Sequence, residues 1–243
     1  MLVSMPVSAA QILLFDADDT LWENNIYFER VIGHFLDRLA HSRLSRADVR
    51  GQLNAIERLQ IARLGYGVRS FARALEMAYR QLAEKPPSAE DIADITALAL
   101  QIEREPVQLL PDVARTLAAL RRRHRMMLVT KGDYAEQSSK LERSGLSEYF
   151  EQCHIVAEKN TGFYKQLRTR IHVSGAACAP ADDNIWMIGN SPRSDINPAL
   201  TAGLRAVLIP HPHTWVLEHE DLREPPAGRF LRLEQFRDLC RHF

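Results

Sequence analysis

The chain has 243 residues, 46% hydrophobic and 26% charged, with no low-complexity tract, which suits a globular α/β domain large enough to carry an insertion. Its formal net charge of zero and sequence pI near 7.1 remove the electrostatic case for a nucleic-acid or membrane-surface partner and leave a small molecule as the default ligand. Cys153, Cys178 and Cys240 lie far apart without CxxC spacing, residues 1–10 lack the make-up of a signal peptide, and no apolar run is long enough to span a bilayer, so a cytoplasmic protein without a disulfide framework or zinc site is expected.

The first element is a run of four apolar residues, Ile12 to Phe15, that ends abruptly in Asp16-Ala17-Asp18-Asp19-Thr20. Such a run reads as a buried strand, and where it ends two aspartates two positions apart can face one crevice. From Glu23 to Arg104 the pattern is helical. Ile26, Val31, Ile32, Phe35, Leu36 and Leu39 mark one amphipathic face, and Val49, Leu53, Ile56, Leu59 and Ile61 mark a second. Phe71, Leu75, Ala78, Tyr79 and Leu82 mark a third, and Ile92, Ile95, Leu98, Ala99 and Ile102 a fourth. Ser45 and Ser88, each three residues ahead of an aspartate (Asp48, Asp91), read as helix starts, and Lys85-Pro86-Pro87 separates the last two helices. Four helices on short turns make a bundle-like insert.

After Leu109 helices and strands alternate. Helices are expected over Asp112 to Arg123, Tyr134 to Arg143 (ending near Gly145), Thr161 to Val173 and Asp195 to Ala202. Strands are expected over Met126 to Val129, His154 to Ala157, Ile185 to Ile188 and Ala206 to Ile209, with a loop rich in Ala, Pro and Asp ahead of Ile185. This alternation predicts a Rossmann-like parallel sheet with helices on both faces, interrupted by an all-α cap. The expected boundaries are residues 1–22 and 108–243 for the core and 23–107 for the cap.

Ligands of open parallel sheets sit beyond the carboxyl ends of the strands. Reading only those ends gives Asp16 and Asp18, Thr130 and Lys131, Glu158 and Lys159, and Asn190, Ser191 and Asp195. A phosphate monoester needs positioning and neutralisation. Asp16 and Asp195 could ligate Mg²⁺, a hard cation that prefers oxygen donors. Thr130, Lys131 and Lys159 could bind the phosphoryl oxygens. Asp16 could then attack phosphorus to form an aspartyl-phosphate, while Asp18 protonates the leaving alcohol and later activates water.

These residues carry a resemblance. Asp16-Ala17-Asp18-Asp19-Thr20, the strand-end Thr130, Lys159 within Ala157-Glu158-Lys159-Asn160, and Gly189-Asn190-Ser191-Pro192-Arg193-Ser194-Asp195 are similar to the four ordered motifs of the haloacid dehalogenase superfamily, over residues 12–210. The helical insert resembles the cap of its first subclass. The resemblance implies a Mg²⁺-dependent phosphatase acting on a small phosphorylated metabolite. Asp16 is its nucleophile, Asp18 its acid/base, and Asp16, Asp18, Asn190 and Asp195 lie around the metal, beneath a mobile cap. Two positions depart from the pattern: Asn190, where the family often has aspartate, and Asp19, where it often has glycine. Asn190 withdraws one negative charge from the metal. Asp19 either returns charge or faces solvent.

Other features have quieter readings. Asp195 could also cap the helix after it. Arg121 to Arg125 sit where cations favour a helix end. His211 and His213 read as a rim loop, with no third metal ligand suggested. Gly65-Tyr66-Gly67 with Arg69 offers a ring and a cation on a cap turn, so Tyr66 and Arg69 are candidates for substrate selection. Three alternatives to a phosphatase stay open. A 2-haloacid dehalogenase has no evident use for Asp18 or Asp195. A phosphorylatable receiver would carry its reactive aspartate on a later strand and lack the insert. A catalytically silent phospho-ligand-binding protein is the third.

Overall fold

The computed structural model describes residues 10–174 and 184–243; the loop expected ahead of Ile185 and Cys178 fall largely outside them. Six strands form one sheet in the order β3-β2-β1-β4-β5-β6. They are β1 (Ile12–Phe15), β2 (Arg125–Lys131), β3 (Gln152–Val156), β4 (Ile185–Gly189), β5 (Arg205–Leu208) and β6 (Phe230–Arg232), and every neighbouring pair is parallel. The chain runs outward from β1 to β3, then returns to β1's other side to lay down β4. The β1/β4 junction is therefore the point where strand order reverses, the place where such sheets bind ligands.

β1 is apolar throughout because it is covered on both faces. Leu13 and Phe15 join Met126, Leu128, Trp186 and Ile188 in a core beneath α5 (Val113–Leu120). Ile12 and Leu14 join Met127, Val129, Ile185 and Met187 in an opposite core beneath α7 (Thr161–Ser174). The two-residue alternation of strand side chains thus sorts one apolar run into two cores. α6 (Tyr134–Ser144) completes the repeat, ending at Gly145 in left-handed geometry. β6 is an edge strand that sequence reading missed, since three residues are too few to show a period.

Other boundaries shift for local reasons. β2 extends to Lys131 because Thr130 and Lys131 pair with Ile155 and Val156. α5 starts only at Val113, because Asp112 has a left-handed φ of 63°. The expected helix from Asp195 splits into a wide turn, Pro192–Ile196, and α8 (Asn197–Thr201). Ser191, not Asp195, caps that turn, accepting the Ser194 N–H at 3.0 Å.

The insert forms α1 (Asn25–Leu39), α2 (Arg46–Leu64), α3 (Val68–Leu82) and α4 (Ala89–Leu100). Ser45 with Asp48 and Ser88 with Asp91 make reciprocal capping boxes at the starts of α2 and α4. The four helices share a core of their own, from Tyr27 to Ile102. The inward stripe of α2 departs from expectation: Leu59 is 65% exposed, whereas Glu57 and Gln60 are buried beside Val49, Leu53 and Ile56.

Leu75 lies fully buried at the centre of the helical core. Leu75→Ala is expected to destabilise the insert by about 2–5 kcal/mol through lost burial and an unfilled cavity. Urea unfolding measures the loss, and amide exchange should quicken in α1–α4 more than in β1, β2 and β4.

Candidate active site

Asp16 leaves β1 with its N–H on the Ile188 carbonyl at 2.9 Å, which fixes it over β4. The chain then turns tightly, with Leu21 N–H reaching back to Ala17 O at 2.8 Å. The Thr20 hydroxyl donates to Asp16 Oδ2 at 2.9 Å and lies 3.3 Å from Asn190 Oδ1, linking the ends of β1 and β4.

Beneath these groups Lys159 is buried, its Nζ 2.6 Å from Asp16 Oδ1 and 2.5 Å from Asp195 Oδ1. Burial alone would lower the lysine pKa, but the two carboxylates outweigh it and raise it well above the ordinary value. Asp195, fully buried, is pushed above the ordinary carboxylate range by burial and by the Asp16 charge, against the pull of Lys159. Gly189 makes room for this arrangement: a Cβ there would lie 2.2 Å from Asp195 Oδ2. Two carboxylates share one ammonium, so the cluster retains negative charge. With the amide oxygen of Asn190 beside them, the donors are all hard oxygens, a set that fits Mg²⁺.

Asp18 is turned elsewhere. It accepts from Trp22 Nε1 at 2.7 Å, Gln137 Nε2 at 2.8 Å and Lys140 Nζ at 2.7 Å. Burial would raise its pKa, but the Lys140 charge and these hydrogen bonds hold it below the ordinary value. Its side chain is thus held by α6 and turned away from Asp16 and Asp195. Gln137 and Lys140, three residues apart on one helix, carry no pattern that links them to Asp18 in sequence.

Asp19 neither joins Asp16, Lys159 and Asp195 nor faces solvent. Buried in left-handed geometry, it accepts the N–H groups of Asn24 and Asn25 at 2.9 and 3.1 Å and so satisfies the start of α1. His211 lies beside it, and Asp19, Glu23 and His211 bring one donor atom each within 4.8 Å of one another, partners the sequence did not suggest for that histidine.

Thr130 is buried and lines the same cavity. Lys131 pairs with Glu218, donates to Ser194 Oγ at 2.9 Å and lies 4.4 Å from the Tyr66 ring centroid. Glu218 was missed because it comes from a loop distant in sequence. The insert closes the cavity from above. Tyr66 donates to Glu158 Oε2 at 2.8 Å, and the Val68 N–H at the start of α3 meets Glu136 Oε2 at 3.0 Å. Gly67, at a φ of 125°, allows that approach. Of the two cap residues singled out, Tyr66 lines the cavity; Arg69 does not, being 88% exposed and turned toward Glu103.

The cavity has a volume of about 140 Å³. Its cap side carries Phe28, Ile61, Phe71 and Ala74, with the polar Glu57 and Ser70 among them. Burial pushes the Glu57 carboxyl up to about 7, against Arg50 and with a further rise from Glu29. The native state therefore keeps this proton to higher pH than the unfolded chain, which releases it near 4.5, and stability falls as pH rises between those values. Glu57→Gln removes the penalty. Urea midpoints of variant and wild type should coincide near pH 4.5, and above about pH 8 the variant should be more stable by on the order of 2–3 kcal/mol.

The sequence model of haloacid dehalogenase-like hydrolases matches residues 10–203. A phosphoserine phosphatase of Thermus thermophilus is 29% identical over 165 residues, 68% of this chain and 63% of that protein; the match thus spans less than two thirds of the relative's length. The crystal structure of a haloacid dehalogenase-like family hydrolase from Xanthomonas campestris superposes with a TM-score of 0.77 at 27% identity, covering 96% of each chain. The L-2-haloacid dehalogenase of Xanthobacter autotrophicus shares the fold at a TM-score of 0.61 and 15% identity, over 96% of this chain and 97% of that one. With the family model matching most of its length, the chain belongs to the haloacid dehalogenase-like hydrolases.

Proposed function

We propose that this hydrolase is a Mg²⁺-dependent phosphatase that cleaves a small phosphate monoester through an aspartyl-phosphate on Asp16. In this reading residues 23–107 act as a cap over a core of residues 1–22 and 108–243. The observation that carries it is the buried Asp16–Lys159–Asp195 cluster at the β1/β4 junction. The named activity of the Thermus thermophilus relative supports the phosphatase chemistry.

Asp16, Asp195 and Asn190 would hold Mg²⁺, which when bound offsets the negative charge brought by the phosphoryl group. A carboxylate oxygen of Asp16 attacks phosphorus and the bond to the leaving alcohol breaks. Asp18 supplies the alcohol's proton, then takes one from the water that cleaves the acyl phosphate and restores Asp16. Serving as acid requires Asp18 to leave Lys140, which holds it anionic in this structure. Lys159 keeps Asp16 in place, and Thr130 and Lys131, which line the same cavity, would meet the phosphoryl oxygens. A dehalogenase would leave Asp18 and Asp195 without a task. No helix among the described residues is long and apolar enough to cross a membrane, and the partner proposed is a small phosphorylated metabolite.

Phenyl phosphate should be hydrolysed in the presence of Mg²⁺, and both chelation and Asp16→Asn should reduce phosphate release by about a thousandfold or more. Full activity of Asp16→Asn would refute the nucleophile assignment. Absence of turnover across a broad panel of phosphate esters would favour a silent binding protein.

Asn190→Asp restores a carboxylate beside the metal donors. Half-maximal activity should then require roughly tenfold less Mg²⁺, as read from a Mg²⁺ titration at fixed substrate.

A further inference from the structure

The cap side of the cavity contains two polar groups that nothing in the fold explains. Glu57 is 5% and Ser70 6% exposed, and Glu57 Oε2 and Ser70 Oγ are buried without a hydrogen-bond partner among the described residues. A buried polar atom left unpaired is costly, so native structures rarely retain one without a purpose. Both residues line the cavity. Each also shares a helix face with an apolar lining residue four positions on, Ile61 after Glu57 and Ala74 after Ser70. Glu57 occupies an inward position of α2 that the amphipathic pattern would give to an apolar residue. Such a break in pattern is expected at functional sites. Phe28 and Phe71, with ring centroids 5.1 Å apart, form the apolar wall beside them.

The charge of the cavity narrows what these groups could meet. No arginine is among the residues lining it, and each of its three lysines is already paired: Lys131 with Glu218, Lys140 with Asp18, and Lys159 with Asp16 and Asp195. A carboxylate on the leaving group would find no unpaired cation there and, above about pH 7, would face the Glu57 anion. An amine or hydroxyl would find two acceptors.

We propose that Glu57 and Ser70 form the leaving-group subsite, and that the alcohol released is a short carbon skeleton bearing a hydrogen-bond donor, an amine or a hydroxyl, and no carboxylate. This inference rests on the phosphatase reading and names its substrate class. It sets the chain apart from its phosphoserine phosphatase relative, whose named substrate carries a carboxylate.

The test compares kcat/KM of the full-length protein with Mg²⁺ on four esters: 2-aminoethyl phosphate, glycerol phosphate, phosphoglycolate and phenyl phosphate. Wild type is expected to prefer the better of the first two over phosphoglycolate by about tenfold or more. Its preference for that ester over phenyl phosphate should fall by about tenfold in Glu57→Ala and by several-fold in Ser70→Ala. Glu57→Gln, which keeps the shape and removes the charge, separates the two donors: an amine substrate loses its preference and a hydroxyl substrate retains most of it. A wild-type preference for phosphoglycolate overturns the inference. So do unchanged preference ratios in all three variants, with melting curves confirming that the variants are folded. If phenyl phosphate is hydrolysed, either result counts against the subsite alone; if no ester is hydrolysed, the phosphatase reading falls and the subsite with it.

Discussion

The structure is built around one ammonium group held between two buried carboxylates. Lys159 meets Asp16 and Asp195 where all three are buried, and its charge opposes the rise that burial imposes on Asp195. Removing three charges from water is costly, and the cluster offsets that cost through short contacts, the Ser191 N–H on Asp195 and the Thr20 hydroxyl on Asp16. One lysine cannot balance two acids. The remaining negative charge suits the site to a divalent cation and, beside that cation, to a phosphoryl group.

The sheet determines which residues can take part. All six strands are parallel, so their carboxyl ends share one edge, and the reversal of order at β1/β4 opens a crevice there. Asp16 and Asn190 stand at either side of it, bridged by the Thr20 hydroxyl. This much was legible in the sequence because each piece is local. A run such as Ile12 to Phe15 announces a strand buried on both faces, and the polar residues that end it announce the edge. Serine followed by aspartate at three residues announced α2 and α4 for the same reason.

What remained hidden depends on distant parts of the chain meeting. Gln137 and Lys140 reach Asp18 from α6, and Glu218 reaches Lys131 from a loop late in the chain. No spacing encodes such encounters. Asp19 was unreadable because its role depends on where the chain turns next, and Arg69 points outward because the buried neighbour Val68 sets the phase of α3. Glu57 was overlooked because the stripe read for α2 ran through Leu59 and Ile61, whereas Leu59 faces solvent and the buried stripe passes through Glu57 and Gln60.

Asp18 couples this site to the base of the insert. Lys140, which holds its carboxylate, also donates to Asn24 Oδ1 at 3.1 Å, the residue just ahead of α1. Trp22, a second donor to Asp18, lies in the same connection and forms an isolated antiparallel bridge with Leu109, where the chain returns from the insert. Asp19, next in sequence, holds the first turn of α1. The helices above, packed about their own core, meet the sheet domain through polar contacts, among them Tyr66 to Glu158, Val68 to Glu136 and Asn25 to the His213 carbonyl. An element with its own core and polar footholds can shift as a unit at modest cost. A shift at α1 would move Asn24 and Trp22 together and so change the donors around Asp18. Trp22 and Lys140 thus touch the Asp18 carboxylate and, directly or through Asn24, the connection that enters α1.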